Sequence, residues 1–303
     1  MSLFGRSLID VDHLSIDDVN SLLNLSKQFK NELPRSKNPR VIANLFFEPS
    51  TRTSLSFQMA SYRLGHSVLD FDTESSSVVK GESVFYTLKT VEAMKPDLFV
   101  VRKNYDKRSG EMTLSEMAYK LNVPVISAGE GALSHPTQAL LDLMTIRENL
   151  KDPSEVKVLL VGDIRHSRVA KSDFVLFTKM GFQCGVCAPF EWQPSNWMGE
   201  YKKFENLRDG LDWADVAMAL RIQKERQSQI AGGESWAKEN QFSKKAFRDW
   251  KSDGLIMHPG PFNLGVEIQE EVLEDSRCKI FEQKENGVYV RAALIQSILE
   301  ERP

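Results

Sequence analysis

The chain has 303 residues, 41% of them apolar and 27% charged, and a formal net charge of -3. Its length exceeds the usual single domain and predicts two domains of about 150 residues each, while its composition excludes a disordered chain. The charge and the lack of any Lys/Arg-rich run exclude a general nucleic-acid binder, no window approaches a membrane span, and the start MSLFGRSLIDVDHLS lacks a secretory pattern, so the expected location is the cytoplasm.

Ser15 opens the first predicted helix, Asp18 completes its cap, and Ile16, Val19, Leu22 and Leu23 form its inner face. Short apolar runs then predict strands from Val41 to Phe46, Ser67 to Phe71, Leu98 to Val101 and Val123 to Ile126, with helices between them. After the first strand, Ser50 stands where an N-cap belongs, and an amphipathic helix with Leu55, Met59 and Tyr62 runs to Gly65. A long helix starts near His135-Pro136 and ends at KDPSE, a polar break that predicts a boundary. A second alternating set follows, with strands from Val156 to Val161, Cys184 to Ala188, Val216 to Leu220 and Leu255 to Met257. Cys184 and Cys187 share a strand at a spacing that turns their thiols to opposite faces. With Cys278 they are expected to be unpaired core cysteines of a reducing compartment. Alternation of helix and strand from end to end predicts an α/β fold of mostly parallel sheets flanked by helices.

In open α/β sheets, ligands bind beyond the carboxyl ends of the strands. The segments there read EPSTRTS, RKN, GEGALSHPTQ, GDIRHSR, RIQKER and HPGPFN, which are rich in anion binders. At Ser50, Thr51, Arg52 and Thr53, first-turn N–H groups, the positive helix end, hydroxyls and a guanidinium converge as a dianion cradle. His135 and Gln138 face the same side of a helix start, where both can reach one small polar ligand. Taken singly, each segment also fits a plain cap, a packed ring or a solvated arginine. GDIRHSR has one glycine where a dinucleotide fingerprint needs three. Metal-spaced ligand clusters, a nucleophile elbow and a Walker loop are all missing, so neither a metal nor a cofactor is expected.

The combination of F-x-E-x-S-T-R-T with HPTQ roughly eighty residues later resembles the transcarbamoylases, and the similarity continues in order along nearly the whole chain. Within that family, RIQKER at Arg221 to Arg226 and HPGP at His258 to Pro261 are similar to the aspartate-specific members, and the cysteine-containing segment of ornithine-specific members is missing. The resemblance implies a carbamoyl-phosphate domain over residues 1–134, an aspartate domain over 135–285, and a C-terminal helix at 286–303 packing back on the first, with long interdomain helices. It assigns Ser50, Thr51, Arg52 and Thr53 to the phosphate, Arg102 to phosphate and carbonyl oxygen, and His135 and Gln138 to the carbamoyl group. Arg168 and Arg221, assisted by Gln223, match the residues that hold the two carboxylates of aspartate, and Gly260 and Pro261 belong to the same set. Ser76 and Lys80 match a loop that reaches a neighbouring subunit's site, which implies a homotrimer with shared sites. Thr53, Lys80, Arg102 and His135 carry the catalytic roles, while Glu48, Arg168 and Arg226 resemble residues that bridge the domains when they close.

Two positions depart from the family pattern: Ser54 and Leu264 both stand where arginine is usual. A leucine cannot replace the salt links of a guanidinium. Two alternatives therefore stand beside the aspartate reading: a transcarbamoylase for ornithine or an N-acylated ornithine, and a catalytically impaired scaffold subunit. The sequence leaves open association with a regulatory chain or a dihydroorotase.

Overall fold

The computed structural model describes residues 3–71, 81–107, 110–150, 155–194, 197, 199–222 and 233–300. It divides into two compact units: residues 1–141 with 284–303, and residues 142–283. The chain leaves the first unit inside one helix and returns to it inside another. Among the described residues, no helix is long and apolar enough to cross a membrane.

The first unit is built on strands β1 (Val41–Phe46), β2 (Ser67–Phe71), β3 (Leu98–Lys103) and β4 (Val125–Glu130), all parallel, in the order β2-β1-β3-β4. Parallel pairing demands a helical crossover between successive strands. The connections are α2 (Thr51–Leu64), α3 (Val84–Glu92) and α4 (Leu114–Tyr119), preceded by α1 (Ile16–Asn31). Leu45, Leu88, Phe99, Val101, Met117 and Val125 pack into one core cluster, as expected of strands covered by helices.

Ser15 caps α1 as its sequence predicts: its hydroxyl accepts from the Asp18 amide at 3.1 Å, and Asp18 accepts in return from the Ser15 amide at 3.1 Å. Val19, Leu22 and Leu23 are buried, but Ile16 is 49% exposed because the buried stripe begins one turn later. A larger correction concerns α2. Its inner face is Thr53, Phe57, Ala60, Ser61 and Leu64, whereas Leu55, Met59 and Tyr62 lie on the opposite, exposed side. The helix carries two apolar stripes, and only one meets the sheet. The helix expected from Glu82 begins at Val84, where the Ser83 hydroxyl accepts from the Tyr86 amide.

The second unit holds β5 (Lys157–Val161), β6 (Gln183–Cys187), β7 (Lys202–Phe204), β8 (Val216–Ala219) and β9 (Leu255–Met257), again parallel, ordered β7-β6-β5-β8-β9. The three-residue edge strand β7 was not foreseen, since KKF carries no alternating apolar signal. Its helices are α6 (Arg168–Lys179), α7 (Leu207–Trp213) and α8 (Gly233–Glu239), while α5 (Pro136–Asn149) and α9 (Ile280–Leu299) run through both units. Cys184 and Cys187 are buried and unpaired, and burial pushes both thiols up to about 12. They are inert core residues.

Asp173 on α6 is fully buried, and neither of its carboxylate oxygens has a hydrogen-bond partner. Burial, reinforced by the nearby Asp142 carboxylate, holds it well above the ordinary carboxylate value. A raised folded-state pKa means that stability is full below the ordinary value of about 3.9 and falls as pH rises through the displaced one. Asp173→Asn is therefore expected to flatten the decline of Tm with pH above that value and to raise Tm at neutral pH; thermal melts across a pH series measure both.

Candidate functional site

Each sheet reverses its winding direction once, between β1 and β3 in the first unit and between β5 and β8 in the second. At such a point the connections leave toward opposite faces and open a crevice at the strands' carboxyl ends. The segments singled out from the sequence follow these same strands.

In the first unit, β1 runs into Glu48 and Ser50, and α2 begins at Thr51. Ser50 is the N-cap residue, yet its side chain makes no capping hydrogen bond, which differs from a plain serine cap. Thr51 and Arg52 are exposed and Thr53 is buried. The helix start is fixed from below by Asn44, buried on β1. Its amide donates to the Ser54 hydroxyl at 3.0 Å and to the Asp70 carboxylate at 2.9 Å, and Gln58 donates to the same hydroxyl at 3.1 Å. Ser54 thus acts as an anchor between α2 and the sheet, a role its sequence position does not announce.

Arg102 lies inside β3 rather than after it. The register against β4 shifts there, from Val101 opposite Ser127 to Lys103 opposite Glu130, so Ala128 and Gly129 together oppose Arg102. Such a bulge re-aims a side chain at the end of a strand. The Arg102 guanidinium pairs with Glu48 at 3.3 Å and donates to the Ala128 carbonyl at 3.3 Å. The next residue, Lys103, is buried, 3.4 Å from Glu111 and 3.7 Å from Glu130, and Glu130 also accepts from the Leu114 amide at 2.7 Å. Burial raises the Glu130 pKa against these partners. Sequence reasoning missed this pin between β3 and β4, whose only signal is a lysine in an apolar strand. His135 and Gln138, both buried, stand at the start of α5 beyond β4, and the Gln138 amide donates to the His135 carbonyl at 3.0 Å. Ser76 and Lys80 lie outside the described residues.

In the second unit, Arg168 is the first residue of α6, which follows β5, and Arg221 follows β8. Arg168 is half-buried and Arg221 exposed. Ser167 caps α6 by accepting from the Ala170 amide at 3.1 Å. Between β5 and that cap, Gly162 has φ +123, and a Cβ on it would meet the Leu220 carbonyl oxygen at 2.7 Å. Only glycine lets the two strand ends approach so closely. Buried Asp163 then pairs with His166 at 2.8 Å and closes the turn.

Beyond β9 a buried relay sets the HPGP turn. Gln283 donates to Asp142 at 2.6 Å and accepts from the His258 amide at 2.9 Å, and the His258 ring accepts from the Gly260 amide at 2.8 Å. The Gly260–Pro261 peptide is cis. Asn263 donates to the Ile222 carbonyl at 3.1 Å, which ties this turn to the segment carrying Arg221. Leu264 is 49% exposed and offers no charge there. Gln223 and Arg226 lie outside the described residues. The first unit therefore gathers cations, hydroxyls and a helix N-terminus suited to a phosphate, and the second brings two guanidinium groups to one switch point, a set suited to a dicarboxylate.

Comparison with known proteins matches both units. Residues 6–148 fit the family described as aspartate/ornithine carbamoyltransferase, carbamoyl-P binding domain, and residues 154–298 fit its Asp/Orn binding domain. The aspartate carbamoyltransferase catalytic subunit of Staphylococcus epidermidis is 38% identical over 300 residues, covering 97% of this chain and 99% of that one. The corresponding subunit of Oceanobacillus iheyensis is 38% identical over 297 residues, covering 98% and 94%. Among solved structures, aspartate transcarbamoylase from Trypanosoma cruzi with carbamoyl aspartate and phosphate is similar at a TM-score of 0.89 and 29% identity, covering 98% of this chain and 97% of that one. The same enzyme with N-(phosphonacetyl)-L-aspartic acid gives a TM-score of 0.88 at 27% identity, covering 98% and 97%.

Each hydrogen bond to a charged group contributes about 1.5–3 kcal/mol when formed. Arg102→Ala and Arg52→Ala are each expected to weaken binding of inorganic phosphate by about tenfold or more, whereas Arg221→Ala leaves it unchanged; isothermal titration measures all three.

Proposed function

The chain belongs to the aspartate/ornithine carbamoyltransferase family, and from that premise we infer that it acts as an aspartate carbamoyltransferase catalytic chain. It converts carbamoyl phosphate and L-aspartate to N-carbamoyl-L-aspartate and phosphate, a step of pyrimidine biosynthesis. The observation that carries aspartate over ornithine is Arg168 and Arg221 following the two strands that flank the second sheet's switch point. Two guanidinium forks match two carboxylates and repel an ammonium tail.

In this reading carbamoyl phosphate belongs to residues 1–134 with the helix 286–303, and aspartate to 135–285. The uncharged amine of aspartate attacks the carbamoyl carbon, forming the C–N bond and moving the carbonyl electrons onto oxygen. The C–O bond to phosphate then breaks, and the departing phosphate takes the amine proton, so no protein base is required. Thr53, Arg102 and His135 serve the oxyanion, and Gln138 holds the carbamoyl amide. Ser50, Thr51, Arg52 and Thr53 bind the phosphate, joined by Ser76 and Lys80 of a neighbouring subunit. Arg168, Arg221 and Gln223 hold the carboxylates beside Gly260, Pro261 and Lys80. Transfer of an already activated carbamoyl group calls only for positioning and charge stabilisation.

A homotrimer with shared sites is part of the same proposal. It is supported by the exposed stripe Leu55, Met59 and Tyr62 on α2, the helix that also carries the phosphate residues. A cytoplasmic location is consistent with three unpaired cysteines.

In an assay of carbamoyl-aspartate formation with mass measurement, Arg52→Ala is expected to lose nearly all turnover while staying folded and trimeric. Mixing and reassembling it with Lys80→Ala restores part of the activity, because some sites then draw both residues from wild-type positions. Full activity of Arg52→Ala, or a monomeric active chain, contradicts the proposal.

A further inference from the structure

We propose that Arg291, which none of the roles above uses, is a positioning residue that locks the phosphate cradle and the His135 segment into one rigid half-site; this rests on the carbamoyl-transfer reading. Arg291 lies on α9, is only 3% exposed, and belongs wholly to the first unit. One arm of its guanidinium donates to the Ser56 hydroxyl of α2 at 2.8 Å, and the other to the Thr137 hydroxyl of α5 at 3.3 Å. Ser56 sits on the turn following Thr51, Arg52 and Thr53, and Thr137 lies between His135 and Gln138. One planar fork therefore holds the two helix starts whose residues are assigned to phosphate and to carbamoyl oxygen.

Two further features fix the fork in place. The Phe57 ring lies under the guanidinium at 5.1 Å, which orients its plane. One turn earlier on α9, Gly287 leaves the space the guanidinium occupies, since a Cβ there would come within 2.5 Å of its nitrogen. Lysine cannot reproduce this arrangement, because an ammonium is a single point without the fork geometry. Its bonds to Ser56 and Thr137 are the route by which Arg291 acts on the two helix starts.

The two arms can be cut separately without disturbing the packing. Thr137→Val removes one hydroxyl at constant volume and is expected to lower kcat by about tenfold with inorganic phosphate affinity kept within about twofold. Ser56→Ala is expected to weaken inorganic phosphate binding by about tenfold, and Arg291→Lys to show both defects while melting as a folded protein. If Arg291→Lys and both hydroxyl variants lower Tm alone, with kcat and phosphate affinity per folded molecule at wild-type values, Arg291 is a structural filler and the proposal falls. If the wild type binds phosphate but transfers no carbamoyl group, the functional reading fails, and loss of phosphate affinity in Ser56→Ala still tests the α2 arm.

Discussion

Everything chemical in this chain depends on where two parallel sheets change direction. A parallel strand delivers its chain to one end of the sheet, and the following helix starts there with its free N–H groups and positive dipole end uppermost. At a switch point the neighbouring connections diverge, so those helix starts are left uncovered. The orders β2-β1-β3-β4 and β7-β6-β5-β8-β9 each supply one such point. An overall charge of -3 then matters little, because the anion-binding groups are concentrated by topology.

Holding those groups in place falls to buried polar contacts. Asn44 ties the start of α2 to β1 and β2, Lys103 with Glu130 pins the end of β3 to β4, and Gln283 links Asp142 to the HPGP turn. Each lies in a buried environment, where removing one partner costs more than the bond itself contributes. Asp173 differs in having no hydrogen-bond partner for either carboxylate oxygen, and burial beside Asp142 holds its pKa well above the ordinary carboxylate value.

Much of the framework was legible in the sequence, for identifiable reasons. VIANLF, apolar except for Asn44, and LFVV are runs that doubly covered strands explain, and Ser15 with Asp18 forms the predicted capping box. The candidate segments could be singled out because they follow those strands. What stayed hidden depends on contacts between distant positions. The stripe Leu55, Met59 and Tyr62 has the same helical period as the true inner face, so periodicity cannot say which stripe meets the sheet. The bulge that re-aims Arg102 arises from pairing with β4, and Arg291 is an ordinary helix arginine until Ser56 and Thr137 are brought beside it. Ser54, a departure when set against the family pattern, is a half-buried anchor once Asn44 is seen beneath it.

The most direct test of this division of labour is a crystal structure grown with carbamoyl phosphate and succinate, a dicarboxylate that lacks the attacking amine. The phosphate should rest on Ser50, Thr51, Arg52, Thr53 and Arg102, with succinate held at its two ends by Arg168 and Arg221. Succinate bound elsewhere, or the two arginines turned away from it, would contradict the account.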